Sequence, residues 1–257
     1  MRRWVGLLLG IGVCAAVGAE PTYTNSDIES MKVRYEPKRR VSSKMLNDLG
    51  ERPFKTPNYV QWFLPYQSWE NEYQNYFYRH YHDRNLTFKP SLICMHYTVI
   101  SDSQSVYNSF LKGTNMCAGD SGTAFGHVSV QLMIDKDGTV FQLLPLDRRC
   151  TGAYGVNHKA ISIEMVAANE SDLLSRPQQI HSSFCVVRDL MKKFNIPASG
   201  IIAHSEVSAG KSVVPEYLDY ADSVYPDRYP ASSHRSDPGS TYMSWLRGYL
   251  KGLPNNN

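Results

Sequence analysis

The segments AISIEMV at 160–166, PQQIHSSFCVVRDLMKKF at 177–194 and IIAH at 201–204 decide how the chain is expected to fold. The first is short and apolar, bounded by loop residues, and reads as a buried strand. The second carries Ile180, Phe184, Val187, Met191 and Phe194 at steps of three and four, the spacing of one helical face, and Asn195-Ile196-Pro197 ends it. The third is a short last strand that finishes on an imidazole. Upstream, residues 91–99 (SLICMHYTV) read as another buried strand, and 104–111 (QSVYNSFL) as a helix with Val106, Tyr107, Phe110 and Leu111 on one side, stopped by Gly113. Between these segments lies a hairpin, 128–134 and 139–144, whose turn Asp135-Lys136-Asp137-Gly138 supplies the positive φ such turns need. Downstream, Ser240 is expected to cap a final helix that buries Tyr242, Met243, Trp245, Leu246, Tyr249 and Leu250. Strands and helices alternate without an internal repeat. The expectation is a single α/β domain with a mixed β-sheet flanked by helices.

Composition bounds the remaining possibilities. The 257 residues carry a formal charge of only +3 and no long basic block, so nucleic acid is not an implied partner. Met1-Arg2-Arg3, an apolar run from Trp4 to Val17, and small residues up to Ala19 read as a secretory signal peptide at 1–19. That run is shorter than the roughly 20 residues a membrane span needs. A lipid-modified Cys14 is disfavoured by the bulky Val13 before it. The implied location is periplasmic or secreted, with no membrane span in the mature chain and no indication of oligomeric state. Export makes disulfides feasible for Cys94, Cys117, Cys150 and Cys185. Cys94 and Cys185 lie in apolar runs, and loop-like surroundings favour pairing Cys117 with Cys150.

Residues 20–89 have no sustained period, but they hold a dense aromatic run from Tyr59 to Tyr81, too aromatic for a disordered linker. Within it, Trp69, Tyr73, Tyr76 and Phe77 fit one face of a helix. The organisation expected is a signal peptide (1–19), an aromatic-rich N-terminal arm packing on the main domain (20–89), the main domain (90–252) and a flexible tail (253–257). Aromatics lining a groove for sugar stacking are the alternative use of the arm.

Three metal-ligating side chains stand at element ends or beside them: His96 late in one strand, His204 ending another, and Asp237 before Pro238-Gly239. Two imidazoles and a carboxylate would give Zn²⁺ three protein ligands and leave a fourth position open, the pattern of a catalytic site. A Cys94–His96 pair on one side of the same strand is an alternative that would leave His204 and Asp237 without a role.

Five blocks occur in order: His96-Tyr97-Thr98; 128–145 (VSVQLMIDKDGTVFQLLP); 157–166 (NHKAISIEMV); Ile202-Ala203-His204-Ser205-Glu206; and Ser236-Asp237-Pro238-Gly239. In these blocks the chain resembles zinc-dependent N-acetylmuramoyl-L-alanine amidases of the type-2 class, relatives of phage lysozyme-type amidases and peptidoglycan recognition proteins. The resemblance covers roughly residues 90–250. It implies a hydrolase acting on peptidoglycan or muropeptides, with His96, His204 and Asp237 as Zn²⁺ ligands, Glu164 as the acid/base residue and Arg235 as a stabiliser of the oxyanion. Physical chemistry points the same way for Glu164, because an unpartnered carboxylate in an apolar strand is costly.

The chain also departs from that family. Relatives often carry His-Tyr where it has Gln131-Leu132, with His127 four residues earlier, and a histidine near the position of Thr151. The long 205–234 insertion could form a groove wall or lid. A non-catalytic peptidoglycan-binding module on the same fold is the rival reading. Gly119-Asp120-Ser121-Gly122 lacks the companions of a serine protease, and Ser208-Ala209-Gly210-Lys211 lacks those of a penicillin-interacting enzyme and reads as a turn.

Overall fold

A computed structural model of the chain describes residues 56–112, 127–218 and 235–251. The signal peptide, most of the arm, Cys117, Gly119 to Gly122 and the 253–257 tail lie outside them. Its strands are β1 (Tyr59–Gln61), β2 (Leu92–Tyr97), β3 (Leu132–Ile134), β4 (Val140–Gln142), β5 (Ala160–Met165) and β6 (Ile201–Ala203). Its helices are α1 (Glu70–Tyr81), α2 (Ser103–Lys112), α3 (Glu170–Leu173), α4 (Pro177–Phe194), α5 (His204–Val207) and α6 (Ser240–Lys251). One mixed sheet runs β1-β4-β3-β5-β2-β6, with β3 and β4 antiparallel and every other neighbouring pair parallel.

The pleat of this sheet sorts residues one apart in the chain onto opposite faces. One face presents Ile93, Met95, Ile161, Ile163 and Met165 to Ile180, Phe184, Val187 and Leu190 of α4 and to Tyr242 and Leu246 of α6, forming one buried cluster. Each side chain removed from water there contributes about 1.5–3 kcal/mol. The α4 helix starts on Pro177, whose missing N–H costs nothing in a first turn, and ends where Asn195 takes a left-handed conformation (φ 56) and donates to the Met191 carbonyl. Buried Tyr242 stays satisfied by donating its hydroxyl to Ser183 Oγ at 2.7 Å.

The opposite face carries the aromatic run. Trp62, Tyr66, Trp69, Tyr73, Tyr76, Phe77 and Tyr81 are buried against Met133, Phe141 and Leu143 of the sheet and Val106, Tyr107 and Phe110 of α2. Trp62 stacks on Tyr107 with centroids 4.1 Å apart, β1 pairs with β4, and the Tyr59 hydroxyl donates to Asp189 of α4 at 2.6 Å. These aromatics are buried core side chains.

Three local expectations give way to tertiary contacts. Residues 128–131 do not extend β3, because the Gln131 carbonyl accepts from the backbone N–H groups of Leu143 and Leu144 while its side-chain oxygen accepts from Ser162 N–H at 2.8 Å. Ser240 is the first residue of α6, not its cap. That cap is Glu170, whose Oε1 accepts from Tyr242 N–H at 3.0 Å, and Gly239 (φ +97) gives it room, since a Cβ there would lie 2.2 Å from Glu170 Cδ. Cys150 is a free thiol buried in the aromatic cluster, donating to Gln131 Oε1 at 3.1 Å, so the expected Cys117–Cys150 bridge is not formed.

Candidate metal centre

Strand register assembles the site. Parallel pairing puts His96 of β2 directly opposite Glu164 of β5, and Met95 opposite Ala203 of β6, so the next residue, His204, emerges beside His96. All three side chains come from the carboxyl ends of parallel strands, where open α/β sheets bind ligands. Asp237 is delivered from beyond the 205–234 insertion. Its carbonyl accepts from Ser205 N–H at 3.0 Å, and the preceding Ser236 Oγ lies 3.1 Å from the Tyr97 hydroxyl.

The three ligating atoms form a nearly equilateral triangle. His96 Nδ1 lies 3.0 Å from His204 Nδ1 and 3.2 Å from Asp237 Oδ2, and His204 Nδ1 lies 3.0 Å from Asp237 Oδ2. Tetrahedral Zn²⁺ with bonds of about 2.0–2.1 Å holds its donors about 3.3–3.4 Å apart, so this donor set has both the chemistry and the spacing the ion requires. Among the described residues these three are the one group of three or more with metal-ligating spacing, and Cys94, a buried free thiol, is not part of it. His96 is 1% exposed, but His204 and Asp237 are 16% and 13% exposed, so the triangle opens to solvent on their side.

Charge at the site follows from burial and these contacts. Burial alone would raise the Asp237 carboxyl, but hydrogen bonds from His204 and His96 and their charge outweigh it and hold it well below the usual carboxylate range. Glu164 is pushed by burial up to about 7; His96 and Arg235 pull it down and Asp237 pushes it up. Its Oε2 is buried without a hydrogen-bond partner among the described residues, a costly arrangement on stability grounds alone. Arg235 therefore stands within electrostatic reach of Glu164, at the rim.

The carboxylate of Glu206 accepts from Ala203 N–H at 2.8 Å and from Arg247 Nη2 at 2.7 Å, and that same nitrogen donates to the Ile201 carbonyl at 3.2 Å. The turn that starts on His204 is thus tied to α6. Neither Glu206 nor Arg247 announces this role in the sequence, because the pair forms only when α6 docks.

The departures from the family pattern have internal uses. Gln131 is fully buried and donates to the Arg148 carbonyl at 2.7 Å as well as accepting from Ser162. Thr151 donates to the His127 carbonyl, and His127 stacks on Trp69 with centroids 4.0 Å apart while its Nδ1 lies 2.8 Å from Glu72 Oε2. Ser208 and Lys211 belong to a turn, with Ser208 Oγ donating to the Ser205 carbonyl at 2.8 Å. In the first part of the insertion Tyr217 packs on Gly155 (φ +90), where a Cβ would lie 2.1 Å from its ring, and Leu218 N–H donates to the Gly155 carbonyl at 2.8 Å. Residues 219–234 are outside the described set.

The family profile described as N-acetylmuramoyl-L-alanine amidase matches residues 86–217, more than half of the 257-residue chain, and stops short of Asp237. Among solved structures the chain is similar to N-acetylmuramoyl-L-alanine amidase LysC from Clostridium intestinale URNW, at 21% identity over 64% of this chain and 87% of that one, with a TM-score of 0.45. It is similar also to the hydrolase AmiA of Staphylococcus aureus, at 16% identity over 85% and 95% with a TM-score of 0.49. A mutant endolysin from Bacillus subtilis matches at 19% identity over 60% and 88%, with a TM-score of 0.40. Curated protein sequences give no match.

Proposed function

Because this chain belongs to the N-acetylmuramoyl-L-alanine amidase family, we propose that it is a zinc hydrolase cleaving the amide between the lactyl group of N-acetylmuramic acid and L-alanine in peptidoglycan or muropeptides. The observation that carries the reading is the convergence of His96 Nδ1, His204 Nδ1 and Asp237 Oδ2, with Glu164 in register opposite His96 and its Oε2 buried without a hydrogen-bond partner among the described residues.

In this reading His96, His204 and Asp237 hold the ion, which supplies Lewis acidity to the amide carbonyl and acidifies water. Glu164 does the proton work. Its Oε2 takes the proton released as water adds to the carbonyl carbon, and returns it to the amide nitrogen as the C–N bond breaks, so the stem peptide leaves as a neutral amine. A group poised near neutrality suits both transfers. Arg235 offsets the negative charge that builds on the carbonyl oxygen. The main domain is 90–252, and the packing of β1 and α1 supports an arm at 20–89 that docks on it. The 1–19 leader directs export to the periplasm or beyond, where this substrate lies. Among the described residues no helix is long and apolar enough to cross a membrane.

The test is digestion of purified peptidoglycan with and without a chelator, with mass spectrometry of the products. Free stem peptides beginning in alanine, lost on chelation and regained with zinc, are expected. Glycopeptides that are bound but left uncut would overturn hydrolysis in favour of a binding module.

A further inference from the structure

The loop that follows His96 holds a residue whose conformation stability does not explain. Val99 has φ 61 and is 60% exposed, the most exposed of the large hydrophobic residues among those described. A β-branched residue crowds its own backbone in the left-handed region, so an exposed turn position of this kind favours Gly or Asn on energetic grounds. The neighbours leave Val99 no other choice. Thr98 is buried, its N–H donates to the Met165 carbonyl at 3.1 Å, its Oγ1 donates to the Ile100 carbonyl, and it accepts from Ala167 N–H at 3.2 Å. Ile100 packs against the aromatic cluster. The chain is therefore pinned on both sides of Val99, and its isopropyl group is turned outward.

That group belongs to the loop that leaves β2 just after His96. Val99 is three Cα steps along the chain from His96, so their Cα atoms stay within about 11 Å of each other. The loop leaves β2 at the carboxyl end of the sheet, the end that carries Glu164, His204 and Asp237. Strain that persists beside such a site points to a function for the strained side chain. We propose that Val99 is a specificity contact for the substrate, packing its isopropyl group on a methyl-bearing flank of the muramoyl-alanine unit: the lactyl, N-acetyl or alanine methyl. The identity of that ligand rests on the amidase reading.

The test compares the zinc-loaded full chain with Val99→Asn, Val99→Gly and Val99→Ile, measuring melting temperature, zinc content, kcat and KM on a defined muropeptide. Asn is well tolerated at left-handed φ, so Val99→Asn should raise the melting temperature by about 2–4 °C. The lost apolar contact should raise its KM about tenfold with kcat and zinc content unchanged. Val99→Gly should raise KM to the same degree, and Val99→Ile, which keeps both strain and methyl groups, should behave as wild type. A wild-type KM in the Asn and Gly variants overturns the proposal, and so does a KM change that tracks loss of zinc. If the wild-type chain cuts nothing, the amidase reading fails separately. Calorimetric Kd values for the uncut muropeptide then take the place of KM, and equal values for wild type and Val99→Asn overturn the contact.

Discussion

On one face of the sheet, Met95, Ile163 and Met165 disappear into an apolar layer under α4 and α6; on the other, their immediate chain neighbours His96 and Glu164 sit beside Asp237 and His204. The covered face meets the main demands of a core: apolar contact, α4 ended by the left-handed Asn195, α6 begun on the Glu170 carboxylate, and a tyrosine hydroxyl with a partner. The site face does not. It holds a carboxylate oxygen without a partner among the described residues, two imidazoles and an aspartate within hydrogen-bond distance of one another, and a valine in a left-handed turn just after β2. Residues adjacent in the chain are thus divided by the pleat into those that stabilise and those that react, and the first group anchors the second.

That division can be broken most severely at Glu164. Glu164→Gln should retain zinc and fold while turnover falls about 10²–10⁴-fold, as expected for loss of a general acid/base; undiminished turnover would remove Glu164 from the chemistry. The same substitution should help the fold. The Glu164 carboxyl is raised from 4.5 to about 7, so the folded state holds its proton more tightly than the unfolded chain does. The carboxyl's contribution is therefore fully present below pH 4.5 and is lost as pH rises through about 7, leaving a penalty of about 3 kcal/mol above that. In metal-free protein, Glu164→Gln should be more stable than wild type at pH 8 and indistinguishable at pH 4, by urea denaturation. Equal stability at both pH values would mean that the buried carboxylate is compensated.

A smaller effect on turnover is expected where the covered face reaches across to the site. Glu206→Ala frees the turn bearing His204 from α6 and should weaken zinc affinity about 10–100-fold, with turnover restored when zinc is saturating. Competition with a chromogenic chelator measures it, and unchanged affinity would make the Glu206–Arg247 contact incidental to the site. The smallest effect on turnover belongs to Phe184 under the covered face. Phe184→Ala should cost about 3–5 kcal/mol of stability, while kcat per folded molecule and zinc stoichiometry stay as in wild type. A fall in kcat among molecules still folded would show that the two faces are less separable than their packing implies.

Much of the frame is legible in the chain because it is local. The i, i+3, i+4 apolar spacing of 177–194 becomes α4 over the same span, and Asp135 to Gly138 makes the expected turn, with Gly138 at φ +88. Trp69, Tyr73, Tyr76 and Phe77 do share one buried surface. Legibility ends where a distant partner decides. Gln131 leaves the strand because its amide is needed at Ser162; Glu170 displaces Ser240 as a cap because α3 abuts α6; and Cys150 is drawn into the aromatic core, where its thiol donates to Gln131.

The site shows the same boundary. Sequence alone determined which side chains can bind a metal or carry a proton, because that is a property of residue type, and the order of five blocks named the family. Only the tertiary structure decided that they meet. Register between β2, β5 and β6 sets His96 beside Glu164 and His204, and a turn far along the chain brings Asp237 to within 3.2 Å of both imidazoles. The physical reason is that periodicity is written into neighbouring residues, whereas strand register and helix docking are settled by the burial of whole faces.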